Sequence, residues 1–202
     1  MARPLLVSAF EPFGGSTTNA SLEVLRRLSE TEDFETLVLP VVRLEAQKPA
    51  LERLGRSPQP RLYLALGEAG PDPVVRLEKV AVNWDDYALP DNGGNQPRDE
   101  AIVPGGPDAY FASIPVGPIV RSLEGRTPLP VVVSLSAGSF LCNHLAYAVS
   151  HHLAANRVCP FAFVHLPAWR SRRGGIFLDT ITETVLSLIR AADRFTNPPT
   201  EG

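Results

Sequence analysis

The residues with the clearest chemical potential lie between positions 134 and 144, where a cysteine follows an apolar run and a turn of small residues. The run at 131–133 predicts a strand and the pattern after Phe140 predicts a helix, so Cys142 lies where a helix begins. Free backbone N–H groups and the helix dipole at such a start favour an anion, including a nucleophilic thiolate. A lone cysteine is also a common buried apolar residue. Position alone therefore makes Cys142 a candidate nucleophile and no more.

A cysteine nucleophile needs a base, and the chain has four histidines from which to choose. His144 is rotated by about 200° from Cys142 on the predicted helix and faces the other way. His151 and His152 lie about 14 Å farther along the same helix. His165 remains, near the carboxyl end of a predicted strand. It is the candidate base, with a half-buried core histidine as the alternative interpretation.

A carboxylate that orients the imidazole would complete a triad, and Glu78 is the candidate. It belongs to an alternating stretch, residues 74–83, in which it shares a face with Val80 and Val82. An unpaired charge on such a face would be costly. A salt bridge to Arg76, or a solvated sheet edge, is the alternative interpretation.

The elements that must position these residues follow from hydrophobic periodicity. Strands are predicted at 5–10, 34–42, 62–67, 74–83, 130–136 and 161–166. Helices are predicted after a cap at Asn19 or Ser21, with Leu22, Leu25 and Leu28 on the apolar face, and at 45–54, 116–123, 140–155 and 176–192. This alternation predicts an α/β fold with a twisted, mainly parallel sheet and a site at the carboxyl ends of the strands. The loop at 84–108 is long enough to be functional or disordered.

Composition narrows the class of protein. The chain has 202 residues, is 20% charged and carries a net charge of −3, which suits a single domain spanning 1–202 with a frayed tail from about Asn197. The one dense basic cluster, residues 170–173, is short and suits a solvated loop, so neither nucleic acid nor a membrane is expected as a partner. With no predicted signal peptide or membrane span and no disulfide pattern, we expect a cytoplasmic protein in which Cys159 is a small apolar residue.

Several short motifs occur in a fixed order over residues 5–167. They are Phe10-Glu11-Pro12-Phe13-Gly14-Gly15 with Asn19, Leu66-Gly67-Glu68-Ala69-Gly70, Leu77-Glu78-Lys79-Val80-Ala81-Val82-Asn83, Pro90-Asp91-Asn92, Gly105-Gly106-Pro107 with Tyr110-Phe111, the Cys142 segment and Val164-His165-Leu166-Pro167. In these motifs and in their order, the chain resembles the pyroglutamyl peptidase I, or pyrrolidone-carboxylate peptidase, family of cysteine peptidases.

The resemblance implies a catalytic set of Cys142, His165 and Glu78 in a single-domain α/β/α sandwich. It also implies removal of an N-terminal pyroglutamyl residue from small peptides, without a metal or other cofactor, and assembly into homodimers or homotetramers. It places Phe10 and Phe13 against the lactam ring of the substrate.

The chemistry of a flat, uncharged lactam agrees with the remaining candidates. Phe140 would add to the apolar walls that Phe10 and Phe13 supply. Asn19 and Glu68 are candidates for hydrogen bonds to the lactam, although Asn19 is equally a candidate helix cap. The backbone N–H groups of Leu141 and Cys142 are the expected oxyanion donors.

Three positions depart from the family's usual pattern. Pro71-Asp72 follows Gly70 where Gly-Arg is usual, Ala88 stands where many bacterial members carry Arg, and residues 170–173 differ from the usual continuation. Two alternatives therefore remain beside the peptidase: a cysteine amidase for another small lactam or cyclic amide, and a non-catalytic pyroglutamate-binding protein.

Overall fold

A six-stranded sheet forms the centre of the molecule in the computed structural model, which describes residues 3–169 and 178–198. The described elements are β1 (Leu5–Phe10), α1 (Ala20–Thr31), β2 (Glu35–Leu39), α2 (Lys48–Leu54), β3 (Leu62–Glu68), β4 (Val75–Glu78), β5 (Val80–Val82), β6 (Ala109–Phe111), α3 (Val116–Leu123), β7 (Val131–Ser134), α4 (Leu141–Asn156), β8 (Phe161–Leu166) and α5 (Leu178–Thr196). The strand order is β2-β1-β3-β8-β4-β7, with β5 and β6 as a separate two-stranded sheet. All described pairings in the large sheet are parallel except that of β4 with β8.

Helices cover both faces of the large sheet, which confirms the predicted α/β/α arrangement. One face packs against α1, α3 and α5, and the other packs against α2 and α4. Successive residues of a strand point to opposite faces. In β8, accordingly, Val164 belongs to the first core, whereas Phe161 and Phe163 belong to the second. His165 therefore points toward the α4 side.

Helix α1 begins and packs as the sequence predicts. Asn19 is its N-cap, and the Asn19 Oδ1 atom accepts a hydrogen bond of 2.9 Å from the backbone N–H of Ser21. This bond satisfies one of the donors that every helix start leaves without a partner in the helix. Leu22, Leu25 and Leu28 are buried at the predicted helical spacing.

The predicted continuous strand at 74–83 is wrong. The chain changes sheets at Lys79, whose N–H donates to Ser134 O (2.7 Å) and whose carbonyl accepts from Ala112 N (2.9 Å). Residues before Lys79 pair with β7 and β8, while residues after it pair with β6. Glu78 therefore does not share a strand face with Val80 and Val82, although it is buried.

The expected direction of two site strands, β4 and β7, also needs correction. Because β4 is antiparallel to β8 and parallel to β7, β7 runs opposite to β3 and β8. The carboxyl ends of β3 and β8 share one edge of the sheet, but that of β7 points the other way. Residues 135–140 then carry the chain to the start of α4.

Other differences concern element boundaries. The strands predicted at 34–42 and 130–136 are shorter, as β2 and β7, and the helix predicted at 45–54 begins at Lys48. Helix α5 extends to Thr196, and beyond it Asn197 still donates to Asp193. The basic cluster at 170–173, the predicted helix start at 176 and the tail beyond 198 lie outside the described residues. Among the helices that the structure describes, none has the length and apolarity to cross a membrane.

Candidate active site

Cys142 is the second residue of α4, and its side chain is partly exposed. Phe140 precedes the helix in an extended conformation, so Leu141 and Cys142 lie in the first turn. The backbone N–H groups of a first turn have no acceptor within their own helix. They carry the positive end of the helix dipole beside the thiol. The start of α4 therefore suits a thiolate and a developing oxyanion.

The imidazole of His165 is held by the carboxylate of Glu78. The His165 Nδ1 and Glu78 Oε1 atoms are 2.8 Å apart, and the two residues are only 4% and 3% exposed. The antiparallel register places Arg76 directly opposite His165, and Glu78 follows two positions later on the same face. The antiparallel pairing of β4 with β8 thus brings the carboxylate to the imidazole.

The thiol of Cys142 lies beside the imidazole of His165 and interacts with it. Burial lowers the pKa of His165, but the Cys142 thiolate and the Glu78 carboxylate outweigh it and raise this pKa to about 9. Since the Nδ1 atom of His165 is hydrogen-bonded to Glu78, its Nε2 atom remains available to interact with the sulfur of Cys142. The protonated form of His165, an imidazolium, is thereby favoured at neutral pH.

The other histidines make different contacts. His144 Nδ1 is 2.8 Å from Asp85 Oδ2, and His151 Nδ1 is 2.9 Å from the Tyr110 hydroxyl. His152 lies near Asn156, one turn farther along α4. The partners of these three histidines are therefore residues other than Cys142.

Gly67, on β3, makes room for the sulfur. It is the register partner of His165, and a Cβ at this position would lie 2.9 Å from Cys142 Sγ and 2.8 Å from Phe163 Cζ. Neither approach is possible for a carbon atom without displacement of its neighbour. The missing side chain is therefore a condition for the thiol to reach the imidazole.

A cavity of about 470 Å³ opens beside the thiol. Every predicted site residue lines it: Phe10, Phe13, Asn19, Glu68, Glu78, Phe140, Leu141, Cys142 and His165. The rings of Phe13 and Phe140 are 5.7 Å apart, and Tyr87 packs edge-on against Phe140 at 4.6 Å. These rings form an apolar wall, and Ala88 adds only a methyl group to the lining.

The two predicted polar contacts of the pocket are already engaged at the start of α1. Asn19 Oδ1 accepts from both the N–H and the hydroxyl of Ser21, and Asn19 Nδ2 donates to Glu11 O. Glu68 Oε2 accepts a 2.6 Å hydrogen bond from Ala20 N. Asn19 is thus a helix cap as well as a residue of the cavity wall.

The two residues after Cys142 fasten the long loop at 84–108, a role that sequence reasoning missed. Asn143 accepts from Val82 N and donates to Val82 O and Trp84 O, at 2.9 to 3.0 Å. His144 and Asp85 form a pair with no exposed side-chain surface, and Arg43 joins the pair through Asp85. The sequence signal was only that three polar or reactive residues are adjacent at a helix start.

The loop also has its own internal fastening. Asp91 accepts hydrogen bonds from the backbone N–H groups of Arg43, Gly93 and Asn95. Asp85 and Glu100 form an isolated backbone bridge. Between these anchors, Ala88 and Leu89 line the cavity. The loop that was predicted to be functional or disordered is thus ordered, and part of it lines the cavity.

An imidazole that contacts both a thiol and a buried carboxylate, beside a helix start in an α/β fold, is the arrangement of a cysteine hydrolase. The family model described as pyroglutamyl peptidase matches residues 3–175. The chain therefore belongs to the pyroglutamyl peptidase family of cysteine peptidases.

Individual relatives agree with this assignment. A pyrrolidone-carboxylate peptidase of Vibrio parahaemolyticus is 41% identical over 169 residues, which cover 82% of this chain and 78% of the relative. One of Chromobacterium violaceum is 42% identical over 173 residues, with the same coverage. The crystal structure of Bacillus amyloliquefaciens pyroglutamyl peptidase I superposes with a TM-score of 0.87 at 29% identity, over 96% of this chain and 98% of that one.

Proposed function

We propose that this protein hydrolyses the bond after an N-terminal pyroglutamyl residue, with Cys142 as nucleophile, His165 as acid and base, and Glu78 as the residue that orients His165. The observation that carries the proposal is the unbroken series of contacts from thiol to imidazole to buried carboxylate at the wall of an apolar cavity. Membership of the pyroglutamyl peptidase family supports the substrate class.

Acylation begins with attack of the Cys142 thiolate on the pyroglutamyl carbonyl carbon. The carbonyl π electrons move to oxygen, and the N–H groups of Leu141 and Cys142 stabilise the resulting oxyanion. The tetrahedral intermediate collapses with cleavage of the C–N bond. His165 donates its proton to the departing amine, and a thioester on Cys142 remains.

Deacylation reverses the role of His165. The neutral imidazole takes a proton from water as the water oxygen attacks the thioester carbonyl. The C–S bond then breaks and releases pyroglutamic acid, while the thiolate and imidazolium are restored. Glu78 keeps the ring orientation throughout, because its hydrogen bond fixes Nδ1 and directs Nε2 to the reacting atoms.

The shape and chemistry of the cavity suit the lactam. A flat, uncharged ring requires apolar walls, which Phe10, Phe13 and Phe140 supply. Asn19 and Glu68 supply polar atoms beside these rings, and we propose that they also bind the lactam amide. A ring without matching polar atoms would leave buried groups unpaired and would be rejected strongly.

The proposal is tested with chromogenic amides of pyroglutamate, proline and glutamine. We expect the amine to be released from the pyroglutamyl compound alone, and only by protein that retains Cys142. No release would contradict the proposal, while release from all three would indicate a broader amidase. Binding of pyroglutamate without turnover, unchanged in Cys142→Ser, would indicate a binding protein.

Assembly and location belong to the same proposal. Edge strand β7 exposes Val132 and Val133, and Leu135 is exposed just after it; a second copy that pairs with this edge could cover these apolar side chains. This supports a homodimer or homotetramer, which light scattering would detect. Both cysteines are free, which supports a reducing compartment such as the cytoplasm.

A further inference from the structure

We infer that Arg76 binds a carboxylate of the substrate on the leaving side of the scissile bond. The preferred peptides would carry a negative charge at the first residue after pyroglutamate, either as its side chain or as the C-terminal carboxylate of a pyroglutamyl dipeptide. This inference rests on the proposed function, in which the lactam binds against Phe10, Phe13 and Phe140.

The order of the strands across the sheet gives the cavity two ends. Phe10 ends β1, Gly67 and Glu68 end β3, His165 lies on β8, and Arg76 lies on β4. Neighbouring strands are about 4.8 Å apart. With the lactam beside β1 and β3 and the imidazole on β8, the departing amine lies toward β4.

Arg76 is at the position that the departing residue would reach. Its Cα is the register partner of His165, and directly opposite residues of antiparallel strands extend their side chains from the same face. Arg76 lines the cavity beside Ser134 and Ser136, which belong to β7 and the segment after it. One strand spacing is close to the distance between neighbouring residues of a peptide.

The charge of Arg76 is available to a ligand. Its side chain is 25% exposed, and its Nη2 atom is 2.9 Å from Oδ2 of Asp72, which is 70% exposed. Exposed ion pairs of this kind contribute little free energy, so a substrate carboxylate can compete with Asp72. The planar guanidinium also offers the paired donors that suit a carboxylate.

The other charged groups of the cavity wall do not duplicate this function. Glu78 is bonded to His165, Glu68 accepts from Ala20 N, and both are acidic. Among the lining residues that the structure describes, Arg76 is the one with a permanent positive charge. A preference for an acidic leaving side therefore follows from this one side chain.

The experiment compares kcat/KM for four substrates: pyroglutamyl-alanine, its amide, pyroglutamyl-glutamate amide and pyroglutamyl-lysine amide. Pyroglutamyl-alanine amide is the neutral reference. The two acidic substrates, pyroglutamyl-alanine and pyroglutamyl-glutamate amide, distinguish a terminal carboxylate from a side-chain carboxylate. We expect at least one acid to exceed the reference by about tenfold, as for a partly exposed charge-assisted hydrogen bond. We expect the lysine compound to fall below the reference.

Two variants with opposite expected effects complete the test. Arg76→Gln should bring the ratio of kcat/KM for the acidic substrates to that for the neutral amide most of the way to one. Asp72→Asn should increase this ratio, because the competing carboxylate is gone. Arg26→Gln is the matched control, since Arg26 pairs with Glu23 on the exposed surface of α1. It should leave the ratio unchanged.

An acid-to-neutral ratio near one in the wild type overturns the inference. So does a ratio that stays the same in Arg76→Gln, whether or not overall turnover falls. If Arg76→Gln does not fold, an unchanged ratio in Asp72→Asn overturns it instead. Failure of the wild type to cleave even the neutral amide would contradict the proposed function, and is thus distinguishable from failure of this inference.

Discussion

Cys142 Sγ lies 2.9 Å from the point that a Cβ on Gly67 would occupy. Cys142, the candidate nucleophile on α4, therefore approaches strand β3, the neighbour of His165's strand, at a backbone position without a side chain. Phe163 closes the same space from β8, with its Cζ atom 2.8 Å from that point. Packing at this position, as much as the identity of the triad residues, determines whether thiol and imidazole meet.

Gly67→Ala should displace the thiol and lower kcat/KM by about 10²-fold, because displacements of this size at a reacting atom cost that much. Pyroglutamyl amide kinetics on folded protein would measure the loss. Gly55→Ala is the control: Gly55 follows α2 with φ −77°, and a Cβ there meets only carbonyl oxygens at 3.4 Å or more. Equal activity of the two variants would contradict the packing role of Gly67.

His165 should titrate with an apparent pKa of about 9, so its imidazolium persists at neutral pH and is lost as the pH rises through that value. Activity should fall on the same alkaline limb, because the departing amine then lacks its proton donor. NMR of labelled histidine would follow the ring directly. In Cys142→Ser, which removes the thiolate, the apparent pKa of His165 should be lower. Titration near 6.5 in both proteins would contradict the thiolate–imidazolium pair.

The two cysteines should differ sharply toward iodoacetamide at neutral pH. Burial raises the pKa of Cys159 to about 11, so that thiol stays protonated and enclosed. Peptide mapping should find alkylation at Cys142, with loss of activity in parallel. Cys159→Ser should keep activity within about twofold, as expected for a residue outside the site. Inactivation that follows alkylation of Cys159 would show that Cys142 is not the nucleophile.

His144→Ala should destabilise the fold by about 3 kcal/mol, since it leaves the buried Asp85 carboxylate without one of its partners. Urea unfolding would measure the change. His152→Ala on the same helix is the matched control; its ring is only partly buried and lies near Asn156, so the cost should stay below about 1 kcal/mol. Similar losses in both variants would mean that the Asp85–His144 pair does not anchor the loop at 84–108.

Local pattern predicted the helices and the strands of the large sheet because burial imposes its period on the sequence. It failed at Lys79 for a physical reason. Alternation continues smoothly from residue 74 to 83, but the partners that divide this stretch, Ser134 and Ala112, are distant in the chain. The reversed direction of β7 has the same origin, since strand direction depends on pairing and not on the strand's own residues.

The candidate triad was within reach of the sequence because a histidine can be excluded by rotation and distance along a helix. The importance of Gly67 could not be predicted from the sequence. It depends on the close approach to Gly67 of two side chains, Cys142 and Phe163, that belong to other elements. The proposed role of Arg76 was hidden similarly: the sequence suggested Glu78 as its partner only as an alternative, whereas the structure pairs it with Asp72 and sets it opposite His165.

The most direct test of the central claim is to trap the thioester. Wild-type protein would be mixed with excess pyroglutamyl amide and quenched in acid, and the peptide that contains Cys142 would be examined by mass spectrometry. We predict a pyroglutamyl adduct on Cys142 that is absent from Cys142→Ser and that accumulates in wild-type protein only while substrate lasts. Turnover of the amide by Cys142→Ser, or an adduct on Cys159 instead, would contradict the mechanism.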